Sequence, residues 1–225
     1  MSESTWSPTP GSERLATLQK LVAGYVLMPT DPEVLECAAA GIRRAIDRLN
    51  TRNWNWALTY DEIEFNTTDT DYPLSSWFKS PRSFEVWDTS SRSVFRLAYK
   101  PWKSFLMEHT DLTAQGDPCV YSCSNVHDSG TVTVNVAPSA GWVEKYPNGR
   151  IWYYRRTQYP TLPGDPIDVP SEVIAYIQSF AEGFTADRYA VNKAQSAYQR
   201  ANEMFNPNGP CALVKDDNDV QTDWE

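Results

Sequence analysis

Asp31-Pro-Glu-Val-Leu-Glu-Cys-Ala-Ala-Ala-Gly-Ile-Arg-Arg-Ala-Ile-Asp-Arg-Leu-Asn50, running on into Trp54-Asn-Trp56, is the stretch on which the fold turns. Asp31 can accept from the free N–H groups of a first helical turn. Pro32 fits inside that turn, and Glu33 sits where the helix dipole is positive. Leu35, Ala38, Ala39, Ile42, Ala45, Ile46 and Leu49 then recur at helical spacing as one apolar stripe, with Glu36, Arg43, Arg44, Asp47 and Arg48 opposite. The spacing predicts a helix over 31–50, with Cys37 as a small buried hydrophobe. The run Ala38-Ala39-Ala40 permits close approach of another helix, whether in a bundle or in a local core.

Toward the N-terminus, residues 1–11 are rich in Ser, Thr, Pro and Gly and read as a flexible arm. Ser12 can cap a first helix carrying Leu15, Leu18, Leu21, Val22 and Tyr25, which ends near Met28. Toward the C-terminus, Trp54 and Trp56 alternate as on one face of a strand. Strands are predicted over 59–65, 83–87, 93–99 and 117–139, and Tyr72-Pro73-Leu74 is a short extended piece. Pro101 opens one or two helical turns. Within Thr131-Val-Thr-Val-Asn-Val136 the valines point to a core and their polar neighbours to water. Residues 141–149 read as a loop. Arg150-Ile-Trp-Tyr-Tyr-Arg-Arg156 is bulky on both faces, which suits the middle of a sheet or a subunit contact. The four prolines of 160–170 exclude helix there.

A last helix opens at Ser171 and runs to Phe205. Val173, Ile174, Ile177, Phe180, Ala181 and Phe184 form its first stripe; Ala190, Ala194, Ala197, Tyr198, Ala201 and Phe205 continue it. Gly183 can weaken or bend it. Unbroken, it spans about 50 Å at ~1.5 Å per residue, which favours a helix that reaches a neighbour. The expected class is therefore α+β: a helical bundle (12–52 and 171–206) with an inserted antiparallel β-rich subdomain (53–170) and an extended tail (207–225). In that acidic tail Cys211, Leu213, Val214 and Trp224 are the apolar groups a docking peptide would use.

The chain carries a formal charge of -9, a pI of about 4.8 and a mean hydropathy of -0.53. An acidic surface repels phosphate backbones, so nucleic-acid binding is not expected. The first residues have neither a basic start nor an apolar stretch, so no signal peptide is expected, and no apolar run approaches membrane-spanning length. The four cysteines are read as free thiols of a reducing cytoplasm. Cys119, Cys123 and His127 have a metal-like spacing but lack a fourth ligand, so alternating strand residues explain them better. The two histidines and the absence of a nucleophile or phosphate-loop motif argue against an enzyme. Asp61, Glu62 and Glu64 read as solvated acids of a strand edge rather than catalytic carboxylates. Nine tryptophans and twelve tyrosines keep a second reading open, a carbohydrate- or receptor-binding protein, although the tryptophans are scattered along the chain.

The order of these elements resembles the head-to-tail adaptor proteins of tailed bacteriophages, also called connector or tail tubular A-type proteins. The resemblance rests on the helix from Leu35 to Leu49, Trp54-x-Trp56, Tyr72-Pro73-Leu74, Ile151-Trp-Tyr-Tyr154 and Ile167-Asp-Val-Pro170 before the last helix, and spans residues 15–205. It implies a homo-oligomeric ring of twelve copies beneath the capsid portal protein, made in the host bacterial cytoplasm and ending in the virion neck. The helical part would meet the portal and neighbouring copies. The β part would meet the tail nozzle or tail tube protein, with tail fibres as further partners, while DNA passes through without specific binding. No cofactor is implied. Subunit or helix packing is expected at Leu35, Ala38, Ala39, Ile42, Ile46, Leu49, Ile174, Ile177, Phe184, Tyr198 and Phe205, and the resemblance implies portal docking by the tail residues named above.

Overall fold

The computed structural model describes residues 14–206 apart from Arg92, His127 and Asp128. In chain order the helices are α1 (Leu15–Tyr25), α2 (Pro32–Leu49), α3 (Trp102–Glu108), α4 (Ala140–Lys145), α5 (Ser171–Tyr189) and α6 (Val191–Phe205). The strands are β1 (Leu58–Glu64), β2 (Asp71–Pro73), β3 (Phe78–Trp87), β4 (Val94–Tyr99), β5 (Gln115–Gly116), β6 (Val120–Val126), β7 (Ser129–Val134), β8 (Ala137–Pro138) and β9 (Asn148–Arg155). They form two compact units: residues 57–156, and residues 14–56 together with 157–206.

The first unit is built on a seven-stranded sheet of order β1-β9-β3-β4-β6-β7-β2. The aromatic strand β9 lies between β1 and β3 and is antiparallel to both. Strands β4 and β6 run parallel, Ala98 beside Val120. Parallel neighbours need a crossover connection, and the segment carrying α3 supplies it. The sheet curls until its end strands converge: Phe65, just past β1, meets the Tyr72 ring of β2 at 5.3 Å. Inside, Phe65 stacks on Phe84 at 5.7 Å and meets Trp142 edge-on at 4.8 Å, while Phe84 meets Tyr121 at 5.4 Å. Gly149 makes room for this cluster, since a Cβ there would lie 2.7 Å from the Phe84 ring and 2.8 Å from that of Phe65.

In the second unit α2 begins as its sequence dictates. The Asp31 carboxylate accepts from the Glu33 N–H at 2.9 Å and the Val34 N–H at 3.2 Å. Here helices meet through small residues. A Cβ on Gly41 of α2 would lie 3.1 Å from the Ala181 backbone of α5, and one on Gly183 of α5 would lie 2.8 Å from the Tyr198 ring of α6. The prolyl connector contributes Ile167 and Val169 as buried residues, and the Asn50 amide at the end of α2 fastens it by bonds to the Thr157 carbonyl (2.8 Å) and N–H (2.9 Å).

Several expectations are corrected. The protein is α+β, but its nearly closed seven-stranded mixed sheet is a body with its own core, not an antiparallel subdomain inserted into a helical bundle. Segment 157–170 belongs with the helices rather than with the sheet. The last helix is broken at Ala190 (φ -156, ψ 60) and folds back, so that Phe180 meets Tyr198 at 5.6 Å and Tyr176 meets Phe205 at 5.2 Å. Burying both apolar stripes against one another outweighs the intrinsic preference for a continuous helix. Trp54 and Trp56 do not share a strand face, because a 3-10 turn intervenes at Asn55–Ala57. Residues 140–145 are helical, since the Ser139 hydroxyl accepts from the Trp142 N–H at 3.2 Å. Thr133 and Asn135 are buried, not wet. Each has a polar partner: Thr133 donates to Asp71, and Asn135 accepts from the N–H groups of Cys119 and Val120.

Candidate functional site

The residues expected at subunit or helix packing contacts pack within the helical unit. Ala38, Ile42, Ile46, Leu49 and Ile177 are fully enclosed; Ile174 and Phe205 are buried; Leu35, Ala39, Phe184 and Tyr198 are half-buried. Phe205 illustrates the arrangement. It packs edge-on against Trp54 at 5.5 Å, while the Arg48 and Arg52 guanidinium groups lie over its ring at 4.7 and 4.2 Å. The Trp54 indole N–H donates to the Leu49 carbonyl. The basic face of α2 thus caps aromatic rings of its own unit, Arg43 over Tyr159 and Arg44 over Phe184. The tail residues Cys211, Leu213, Val214 and Trp224, and the arm, lie outside the described residues.

Each unit exposes an apolar set of its own. In the helical unit α1 ends in a turn where the Leu27 N–H donates to the Gly24 carbonyl and the Met28 N–H to the Ala23 carbonyl. This closure places Leu27 in the left-handed region (φ 65), a position usually given to glycine. Leu27 is 80% exposed, Met28 44% and, at the α5–α6 corner, Val191 71%. The two corners are tied side by side, the Tyr25 hydroxyl donating to the Lys193 carbonyl and the Lys193 ammonium to the Tyr25 carbonyl. In the β unit, α3 turns Phe105 inward and leaves Trp102, Leu106 and Met107 exposed, with Val94 and Phe95 exposed on β4.

The outward face of β1, β9 and β3 gathers aromatics that sequence reading left scattered. Tyr60 and Trp152 meet at 5.0 Å, and the Arg150 guanidinium lies 4.1 Å over Tyr60 and 5.4 Å over Trp87. Arg150 pairs with Glu62 at 2.9 Å, and the Trp152 indole donates to Glu85. Beside them runs an open groove of about 510 Å³ lined by Glu85, Trp87, Asp88, Thr89, Val94 and Arg150. At its end Asp88 accepts from the Ser90 hydroxyl and from the Ser90 and Ser91 N–H groups, which hold its carboxyl far below the usual carboxylate range. The signal that could have found this face is the strand register, Glu62 opposite Arg150 opposite Glu85.

The other candidates are structural. Asp61 accepts from the Ser75 N–H and the Tyr153 hydroxyl, binding β1 to its neighbours. Cys119 is exposed, Cys123 is largely enclosed with its thiol pushed up by burial, and His127 lies outside the described residues. Among the described residues no group of three or more His, Cys, Asp or Glu side chains could hold a metal ion. No described helix is long and apolar enough to cross a membrane. No protein-family model and no curated protein matches the chain.

Proposed function

We propose that this protein is a structural adaptor of a tailed-bacteriophage virion, a ring of copies joining the capsid portal to the tail nozzle or tube and surrounding the DNA channel. The observation that carries the reading is the pair of exposed apolar sets, one on each unit. Apolar surface beyond scattered single side chains marks contact sites. A cyclic assembly needs different, complementary faces on each copy, and a joint between two structures needs a further surface for each. Leu27 adds weight, because a bulky residue is held at a backbone conformation costing of order 1–3 kcal/mol yet its side chain is left in solvent. The net charge of -9 suits a channel through which DNA slides without sticking.

The test is to mix the chain with the portal protein of the same phage and image the product by negative-stain electron microscopy. An added ring beneath the portal is expected; portals that stay bare refute the reading. The second reading, a carbohydrate- or receptor-binding protein, draws on the outward Tyr60, Trp87 and Trp152 face. Against it, Arg150 already covers the Tyr60 ring and shares the faces of both tryptophans. Selective hits on a glycan array together with bare portals would favour it.

A further inference from the structure

The geometry points to α6 as an exchangeable arm: in the assembled state it leaves its own α5 and docks in the same place on a second copy of the chain. The argument begins at the corner. Ala190 carries φ -156 and ψ 60 between two helices, yet alanine has the highest helix propensity, and neither Gly nor Pro stands nearer than Gly183 on one side or Pro207 on the other. Nothing local in Arg188-Tyr-Ala-Val-Asn192 specifies a break. The fold-back is imposed by the surface that receives α6, and that surface is identical on every copy.

That surface is well made. Ala194, Ala197 and Ala201 are buried against the unit, and Gly183 admits the Tyr198 ring. Glu182, only 7% exposed, accepts from Gln178 at 2.8 Å through one oxygen and from Arg200 at 2.7 Å through the other. When α6 is exchanged its contacts, Arg200 with Glu182 among them, re-form between chains while the Gln178–Glu182 bond stays within α5, so the closed and exchanged states differ only at residues 189–191 and in the entropy of association. At the corner exchange gains: α5, Ala190 and α6 can join into one helix of about 50 Å at ~1.5 Å per residue, with the backbone bonds the corner lacks. Exchange of an identical element is a low-cost route to oligomers. The partner is another copy of this chain, and the inference stands whether or not the portal reading does.

Charge reversal tests it. The Glu182→Arg chain and the Arg200→Glu chain each place like charges across the α5–α6 contact. Co-expressed, they restore both ion pairs only if each α6 lies on the other chain. Native mass spectrometry is expected to show mixed oligomers in excess of either homotypic form, and their absence, including failure of both chains to fold when co-expressed, overturns the proposal. Independently, Ala190→Gly suits the corner and disfavours a helix through it by about 1 kcal/mol. It should weaken self-association about fivefold per exchanged arm. A monomer–oligomer equilibrium unchanged by this substitution also overturns it.

Discussion

The two units solve the packing problem in opposite ways. Residues 57–156 enclose large rings inside a curled sheet, with Phe65, Phe84, Tyr121 and Trp142 in mutual contact. The helical unit brings the α2 and α5 backbones together at Gly41 against Ala181 and seats the Tyr198 ring of α6 on Gly183. A ring cluster does not tolerate lost volume, and beside Gly149 it has no room for an added methyl either. A close helix crossing is tolerant of lost volume but not of an added methyl. The difference teaches where each unit can change: the sheet is fixed by the rings in its interior, whereas the helical unit is fixed by how closely its helices cross.

The largest effect should come from emptying the ring cluster. Phe84→Ala is expected to cost about 3–5 kcal/mol, with hydrogen-exchange protection lost across 57–156 and kept in 14–56 and 157–206. Equal loss in both would break the comparison. Next, Gly41→Val should cost about 1–3 kcal/mol through overpacking, with the loss confined to the helical unit. Substitution without loss would mean that the crossing is not tight.

Acid separates the units by charge. The Asp88 carboxyl is held low in the folded state by Ser90 and Ser91, so its contribution is complete above the ordinary value of about 3.9 and is lost as pH falls below it. Protection of the β3–β4 hairpin should decline there, and Asp88→Asn should flatten that dependence. Alkali bears more on the sheet unit, where burial also raises the Tyr99, Tyr121 and Tyr153 hydroxyls. Burial pushes Tyr72 in one unit and Tyr198 in the other up to about 12. Both therefore contribute stability that is lost as pH rises from about 10 through that value. The smallest effect carries the opposite sign: Leu27→Gly should stabilise by up to about 1 kcal/mol by relieving the left-handed position, read as a higher Tm.

Much of this was legible where local chemistry decides. Asp31-Pro-Glu set the start of α2, the alternating valines Val132 and Val134 set the inner face of β7, and the bulky β9, which reads as mid-sheet or as a subunit contact, lies between β1 and β3. What escaped depends on partners distant in sequence. The Ala190 corner has no breaker and exists because α6 finds buried contacts on the unit. Thr133 and Asn135 are buried because Asp71 and the Cys119–Val120 backbone satisfy them. The parallel β4–β6 pair follows from a crossover that no two-residue alternation announces. The tryptophans looked scattered because only the pairing register brings Trp87 and Trp152 to one face.

The central claim, that each unit serves a different partner, is tested most directly by imaging particles of a phage whose only copy of this chain is altered in one exposed set or the other. With Leu27→Gly and Met28→Ser in the helical unit, electron microscopy should show portals without the added ring. With Leu106→Ser and Met107→Ser on α3, it should show rings seated on portals but lacking tails. Both variants failing at the same step, or neither failing, would contradict the account.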